Sequence, residues 1–205
     1  MKFRFDFEKT ICAAAHVLDC NGGTMDFLHL IKILYWSDKK ALIDWGRTIT
    51  GDRMMAMPQG PALKELNSLI HGDSKHIIQN PWNAHVGELY ARSSDHPKKK
   101  RYITLLKKPG RDLLSEVERK VLDEGNKMFA RMPYAILIKT VHNKEYFPEW
   151  NKPRGANQPI DPIRILSAAC KSPDQIQKIE ADLAHHGFVN RFLGSLVFGL
   201  TVLSW

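Results

Sequence analysis

Three side chains that ligate metals stand four residues apart near the start of the chain: Cys12, His16 and Cys20. On a helix they drift only slowly around one face, but from first to last they span about 12 Å of axis, more than a single ion can bridge. The spacing therefore predicts small residues packed in a core, with no metal. Asp52 and His142 are the best acid and base by type. Asp52, however, follows Gly51 in a pair suited to a tight turn, where aspartate is favoured for its backbone geometry alone. No nucleophile, metal cluster or phosphate loop completes a constellation around the two. His185 and His186 fall near a predicted helix C-terminus, where imidazolium complements the macrodipole. GxxxxGKS/T, GxGxxG, HExxH and GxSxG are all missing from the 205 residues, so phosphate cradles, zinc helices and nucleophile elbows lack their local signature. These residues predict no catalytic group, no metal and no cofactor.

The formal charge of +8 raises nucleic acid as a partner, and its distribution bears on the question. Residues 1–97 carry 11 basic and 11 acidic side chains and residues 112–205 carry 12 and 11, whereas residues 98–111 carry seven basic and none acidic. One short segment holds nearly all the imbalance. Lys98, Lys99, Lys100 and Arg101 precede the apolar run Tyr102 to Leu106, and Lys107 and Lys108 follow it ahead of Pro109-Gly110. This reads as an edge strand leading into a turn, its lysines guarding against edge-to-edge aggregation. The same cations are candidates for contact with an acidic protein, and a nucleic acid is the weaker reading.

The elements that must position these groups are mostly helical. Asp6 caps a first predicted helix, with Phe7, Ile11, Ala14, Ala15 and Leu18 on one face and Gly22-Gly23 as its stop. Thr24 caps a longer one whose stripe runs from Phe27 to Trp45 and ends at Gly46, with Asp26 in the first turn. Thr48 to Thr50 and Arg53 to Met57 are β-compatible runs that Gly51-Asp52 joins as a hairpin, and Pro61 opens a third helix. A weak pattern gives a helix over Ala84 to Tyr90. Ser115 with Glu118 forms a capping box, Pro133 starts a short apolar helix to about His142, Asp161-Pro162 opens a helix through Cys170, and Ser172 with Gln175 opens another that Gly187 closes.

Residues 192–205 contain no charge, yet are too few to span a bilayer as a helix, which takes about 20 residues. Leu196, Leu200 and Trp205 mark this tail as docked on the body or offered to a partner, a second copy of the chain included. The N-terminus lacks the apolar stretch of a signal peptide, and three cysteines suit a reducing compartment, so a cytoplasmic protein without disulfides is expected. The expected architecture is mainly α: a single compact helical domain over residues 1–191 with a small antiparallel hairpin and edge strand, followed by the tail.

Several segments, in order, carry a family resemblance: Phe5-Asp6 with Lys9, LIKILYWSDKKAL from Leu30, GRTITGD from Gly46, AMPQGP from Ala56, LSEVERKVLD from Leu114 and HNKEYFPEW from His142. Together they resemble the Panacea domain over roughly residues 3–180, and their ordered co-occurrence is far more specific than any one of them. That resemblance implies an antitoxin of a toxin–antitoxin pair, with a role in phage defence also in view, that neutralises a cognate protein toxin by direct complex formation. One branch of the family instead delivers its toxin to a protease. Matching positions are Lys32, Tyr35, Trp36, Ile49, Thr50, Gly51, Asp52, Ala56, Gly60, Pro61 and Leu63, which the resemblance assigns mostly to scaffold.

Overall fold

The computed structural model describes residues 1, 3–91 and 100–185. Helix α1 (Phe7–Cys20) is capped by Asp6, whose side chain accepts from the Lys9 amide, and stops where Gly22 and Gly23 take positive φ and the Gly23 amide returns to Leu18 O at 2.8 Å. Thr24 does not cap the next helix. It belongs to a short strand, β1 (Thr24–Asp26), and Asp26 caps α2 (Phe27–Trp45) by accepting from the Leu28 amide. The β-branched Thr24 finds a cross-strand partner in Thr104, hydroxyl to hydroxyl at 2.9 Å, and that pairing outweighs its capping propensity.

Helix α2 is the centre of the molecule. Leu28 to Tyr35 are all buried, as are Ser37, Asp38, Ala41 and Leu42, so it is covered on nearly every side rather than along one stripe. Its most extensive neighbour is α5 (Glu116–Phe129), with α1 also against it. Gly125 allows the close approach of α5: a Cβ there would meet Ser37 Oγ at 3.0 Å and the Trp36 ring at 3.1 Å. The Ser115–Glu118 capping box that opens α5 is complete in both directions.

The predicted hairpin is displaced. Its strands are β2 (Met54–Met57) and β3 (Gly60–Leu63), paired from Met54↔Leu63 to Met57↔Gly60, and Pro58-Gln59 rather than Gly51-Asp52 makes the turn. Residues 48–50 are not a strand. Gly51 does take positive φ, but because the N-terminal segment crosses it: Asp6 donates to Thr50 O, and a Cβ on Gly51 would lie 1.9 Å from Arg4 O. Pro61 sits in β3 opposite Ala56, and the third helix, α3 (Lys64–His71), starts after it. A short strand, β6 (Gln158–Pro159), lies on the other side of β2.

The other sheet corrects two further expectations. The helix expected over residues 84–90 is not there: α4 (His76–His85) runs through Pro81 and gives way at residue 86 to β4 (Val86–Ala91). The apolar run after the basic cluster, β5 (Lys100–Leu105), is the central strand, with β4 on one side and β1 on the other, so it is not an edge. Both partners escaped the sequence reading because β1 is only three residues long and β4 shows no alternation. Helices α6 (Tyr134–Val141), α7 (Pro162–Ala168, capped by Asp161) and α8 (residues 173–185, with Ser172 and Gln175 bonded reciprocally) follow as expected. The described chain is thus mainly helical, with two three-stranded antiparallel sheets instead of one hairpin. No helix among the described residues is long and apolar enough to cross a membrane. The tail at 192–205 and the stop at Gly187 lie outside them.

Candidate functional site

The polar residues of α2 hold the other motif segments. Lys32 is 2% exposed and its Nζ donates to Pro61 O at 2.7 Å, with burial pushing its pKa down to about 7. One turn on, the Tyr35 hydroxyl donates to Glu149 Oε1 at 3.0 Å. Burial and the Glu149 charge raise its pKa well above the usual tyrosine value. Glu149 takes a second bond from Lys39 at 2.9 Å. Asp38 receives the amides of Ile49 and Thr50 at 2.8 and 3.0 Å and the Thr50 hydroxyl. Burial lifts Asp38 to about 7 against those donors.

Asp52, 1% exposed, continues the chain of contacts. Its carboxylate accepts from Arg53, Glu65 and Leu66 amides at 2.6, 3.0 and 2.9 Å, capping α3 from a distance because Leu63, at the capping position, has no side-chain acceptor. Burial raises it to about 6 despite the three amides. Its turn chemistry is therefore spent on a helix N-terminus. His142 does something else: its ring lies flat on Trp150 at 4.2 Å, and Trp150 Nε1 donates to Met57 O at 3.0 Å. Burial, then the charge of Lys32, lowers the His142 pKa. The two residues considered as an acid–base pair have separate partners. Ile49, Ala56, Gly60, Pro61 and Leu63 are buried and Trp36 half-buried, with Gly60 lying so close to Val141 that a Cβ would meet Val141 Cγ2 at 2.5 Å.

Glu118 is the second hub. It is 1% exposed and joins α1, the turn after α2, and α5 by accepting from Lys9 at 2.8 Å, Arg47 at 2.9 Å and the Ser115 amide at 2.9 Å. Burial alone would raise its pKa; the two cations and the amide outweigh that and hold it at about 2. The capping box was readable from the sequence, the two distant cations were not.

The predicted contact residues fare differently. Arg101 is turned inward, bonded to Glu88 and Ile70 O with its guanidinium over Phe27 at 5.7 Å from the ring centroid. Lys107 and Lys108 are exposed, and Lys108 pairs with Asp19 at 2.7 Å. Lys100 begins β5; Lys98, Lys99, Leu196, Leu200 and Trp205 lie outside the described residues.

An open groove of about 640 Å³ runs between β1, the start of α2 and the α5–α6 corner. Phe27, Tyr102, Met132 and Tyr134 give it apolar and aromatic walls, and Arg131 and Gln59 stand on it. Gln59 belongs to the AMPQGP segment and Phe27 and Tyr102 to apolar runs, but nothing local marks Arg131, Met132 and Tyr134 as lining the same groove. Tyr134 is 49% and Ile136 50% exposed. Neither the curated proteins nor the solved structures compared with the chain gave a match. One family model does match, over residues 30–151, a span that takes in α2 from Leu30 on, the β2–β3 hairpin, α5, α6 and Trp150. As that is more than half of its length, the chain belongs to the family described as antitoxin SocA-like, Panacea domain.

Proposed function

We propose that this protein is the antitoxin of a toxin–antitoxin pair, which neutralises a protein toxin by holding it in a direct complex, with the groove beside β1 as the face that receives it. The observation that carries the reading is the division of labour on the surface. The matched motif residues are occupied with one another, whereas Tyr134 stands half in solvent on the groove, whose walls include the half-buried Phe27, Tyr102 and Met132 together with Arg131, and Ile136 is exposed on the same helix, α6. Aromatic anchors with arginine, rimmed by polar groups, are the composition of binding hot spots. β1 lies at the edge of its sheet and adds backbone groups that an extended partner segment can pair with.

Co-expression with the protein encoded beside it tests this directly. The pair should co-purify and growth should be restored, and Tyr134→Arg should weaken both without moving the melting temperature, since that side chain is half in solvent. Rescue in which the toxin vanishes from the cell instead of accumulating in the complex would favour delivery to a protease. Full rescue by Tyr134→Arg together with Met132→Glu would remove the groove from the account.

A further inference from the structure

Three potential ligands converge where α1 meets α5. His16 and Cys20 stand one turn apart on α1, and Asp123 is on α5. His16 Nε2 is 2.8 Å from Asp123 Oδ1, and Cys20 Sγ is 4.0 Å from that nitrogen and 3.9 Å from that oxygen. Cys12, the third member of the sequence trio, is buried and turned to Arg111 O.

The arrangement is not a nucleophilic triad. A relay needs the carboxylate on one imidazole nitrogen and the thiol on the other; here both address Nε2. Burial and the charges of Asp123 and Asp19 also raise the Cys20 thiol, the opposite of activation. A nitrogen, a sulfur and an oxygen aimed at one point are instead a ligand set of borderline softness, suited to zinc and its neighbours. Bonds of about 2.0 Å to nitrogen and oxygen and about 2.3 Å to sulfur put tetrahedral ligand atoms about 3.3 Å apart for N···O and about 3.5 Å for the sulfur pairs. The histidine–aspartate pair would open by about 0.5 Å and the thiol close by a similar distance, which are side-chain adjustments.

We propose that His16 Nε2, Cys20 Sγ and Asp123 Oδ1 form a binding site for a divalent ion of the zinc class, with water in the fourth position. Access is open: Cys20 is exposed, and the His16 and Asp123 side chains are 22% and 43% exposed. Asp19 and Asp112 line the recess beside His16, paired with Lys108 and Arg119 respectively. Metal in this place would staple α1 to α5 next to the Glu118 hub.

Tag-free protein, stripped with chelator and kept reduced, is titrated with Co²⁺. Binding should give a thiolate-to-cobalt charge-transfer band in the near ultraviolet with visible ligand-field bands, and Zn²⁺ should bleach both. Cys20→Ser should abolish the charge-transfer band while leaving the melting temperature of the metal-free protein unchanged; Cys170→Ser should retain it. Zn²⁺ should raise the melting temperature of the wild type and not of Cys20→Ser. No charge-transfer band, or a band unaffected by Cys20→Ser, would show that His16 and Asp123 form an interhelical ion pair only and would overturn the proposal.

Discussion

Glu118→Gln is the sharpest test of how this scaffold is held. Glutamine preserves the shape and the reciprocal bond to Ser115, so the substitution removes charge and little else. Holding a carboxylate of ordinary pKa 4.5 at about 2 is a preference of about 3 kcal/mol for the ionised form in the fold. The side chain is 1% exposed, so solvent screens little of this, while Lys9 and Arg47, 19% and 51% exposed, can still be hydrated when it is lost. For a chain of this length that corresponds to a fall in melting temperature of about 6–12 °C at pH 7. The pH dependence has a definite sign. Because the folded pKa is depressed, the contribution is complete above the unfolded value, shrinks as pH falls below 4.5 and is gone below about 2. At pH 3.5 the gap between wild type and variant should already be narrower by about 1.4 kcal/mol. Urea unfolding of both proteins at pH 7 and pH 3.5, with equal m-values, measures it. A gap that is the same at both pH values, or absent at pH 7, would refute the reasoning.

Gly51→Ala should cost well over the roughly 1 kcal/mol of a strained backbone alone, because the new Cβ lies 1.9 Å from Arg4 O and the N-terminal segment must move; an unchanged melting temperature would place the crossing elsewhere. Lys32, lowered to about 7 from 10.5, binds a proton more readily in the unfolded chain, so wild-type stability should rise from pH 7 to 9, and Lys32→Met should flatten that slope in the same urea assay. Arg101→Ala should lower stability by roughly 1–3 kcal/mol through the lost bonds to Glu88 and Ile70 O, while Lys107→Glu with Lys108→Glu leaves calorimetric melting unchanged. If nucleic acid is a partner, polynucleotide binding should fall steeply with salt and vanish in that double variant; salt-independent binding, or none, excludes a role for these lysines in it.

What could be read from the residues alone was set by distance along the chain. Asp6, Ser115 with Glu118, Asp161, and Ser172 with Gln175 cap their helices as expected, because the groups they satisfy lie within three residues. The hairpin failed for the opposite reason. Gly51-Asp52 carries turn chemistry, but its φ is required by a strand of chain 46 residues or more upstream in sequence, at Arg4 and Phe5, and its carboxylate by amides at Glu65 and Leu66. β5 looked like an edge because neither neighbour had a periodicity of its own. The trio near the start of the chain shows the same limit: Cys12 turns to Arg111 O while His16 and Cys20 meet Asp123, 103 residues on from Cys20, which no local pattern announces. The polar positions of α2 were visible as Lys32, Tyr35 and Asp38 in an otherwise apolar helix, though not their partners.

The antiparallel order β3-β2-β6 bears on how such a fold can be moved between proteins. β6 and the amide of Ile160, which donates to Met54 O at 2.9 Å, lie beyond the stretch that the family model covers. Arg4, Asp6 and Lys9 lie before it. A graft cut at residues 30 and 151 would carry a hairpin with Met55 and Ala56 unpaired on one side, a Gly51 with no chain to cross it, and a Glu118 stripped of one cation. Fusion junctions for chimeras therefore belong upstream of Phe3 and downstream of the buried Ile176 and of Ile179, outside the region by which the domain is recognised.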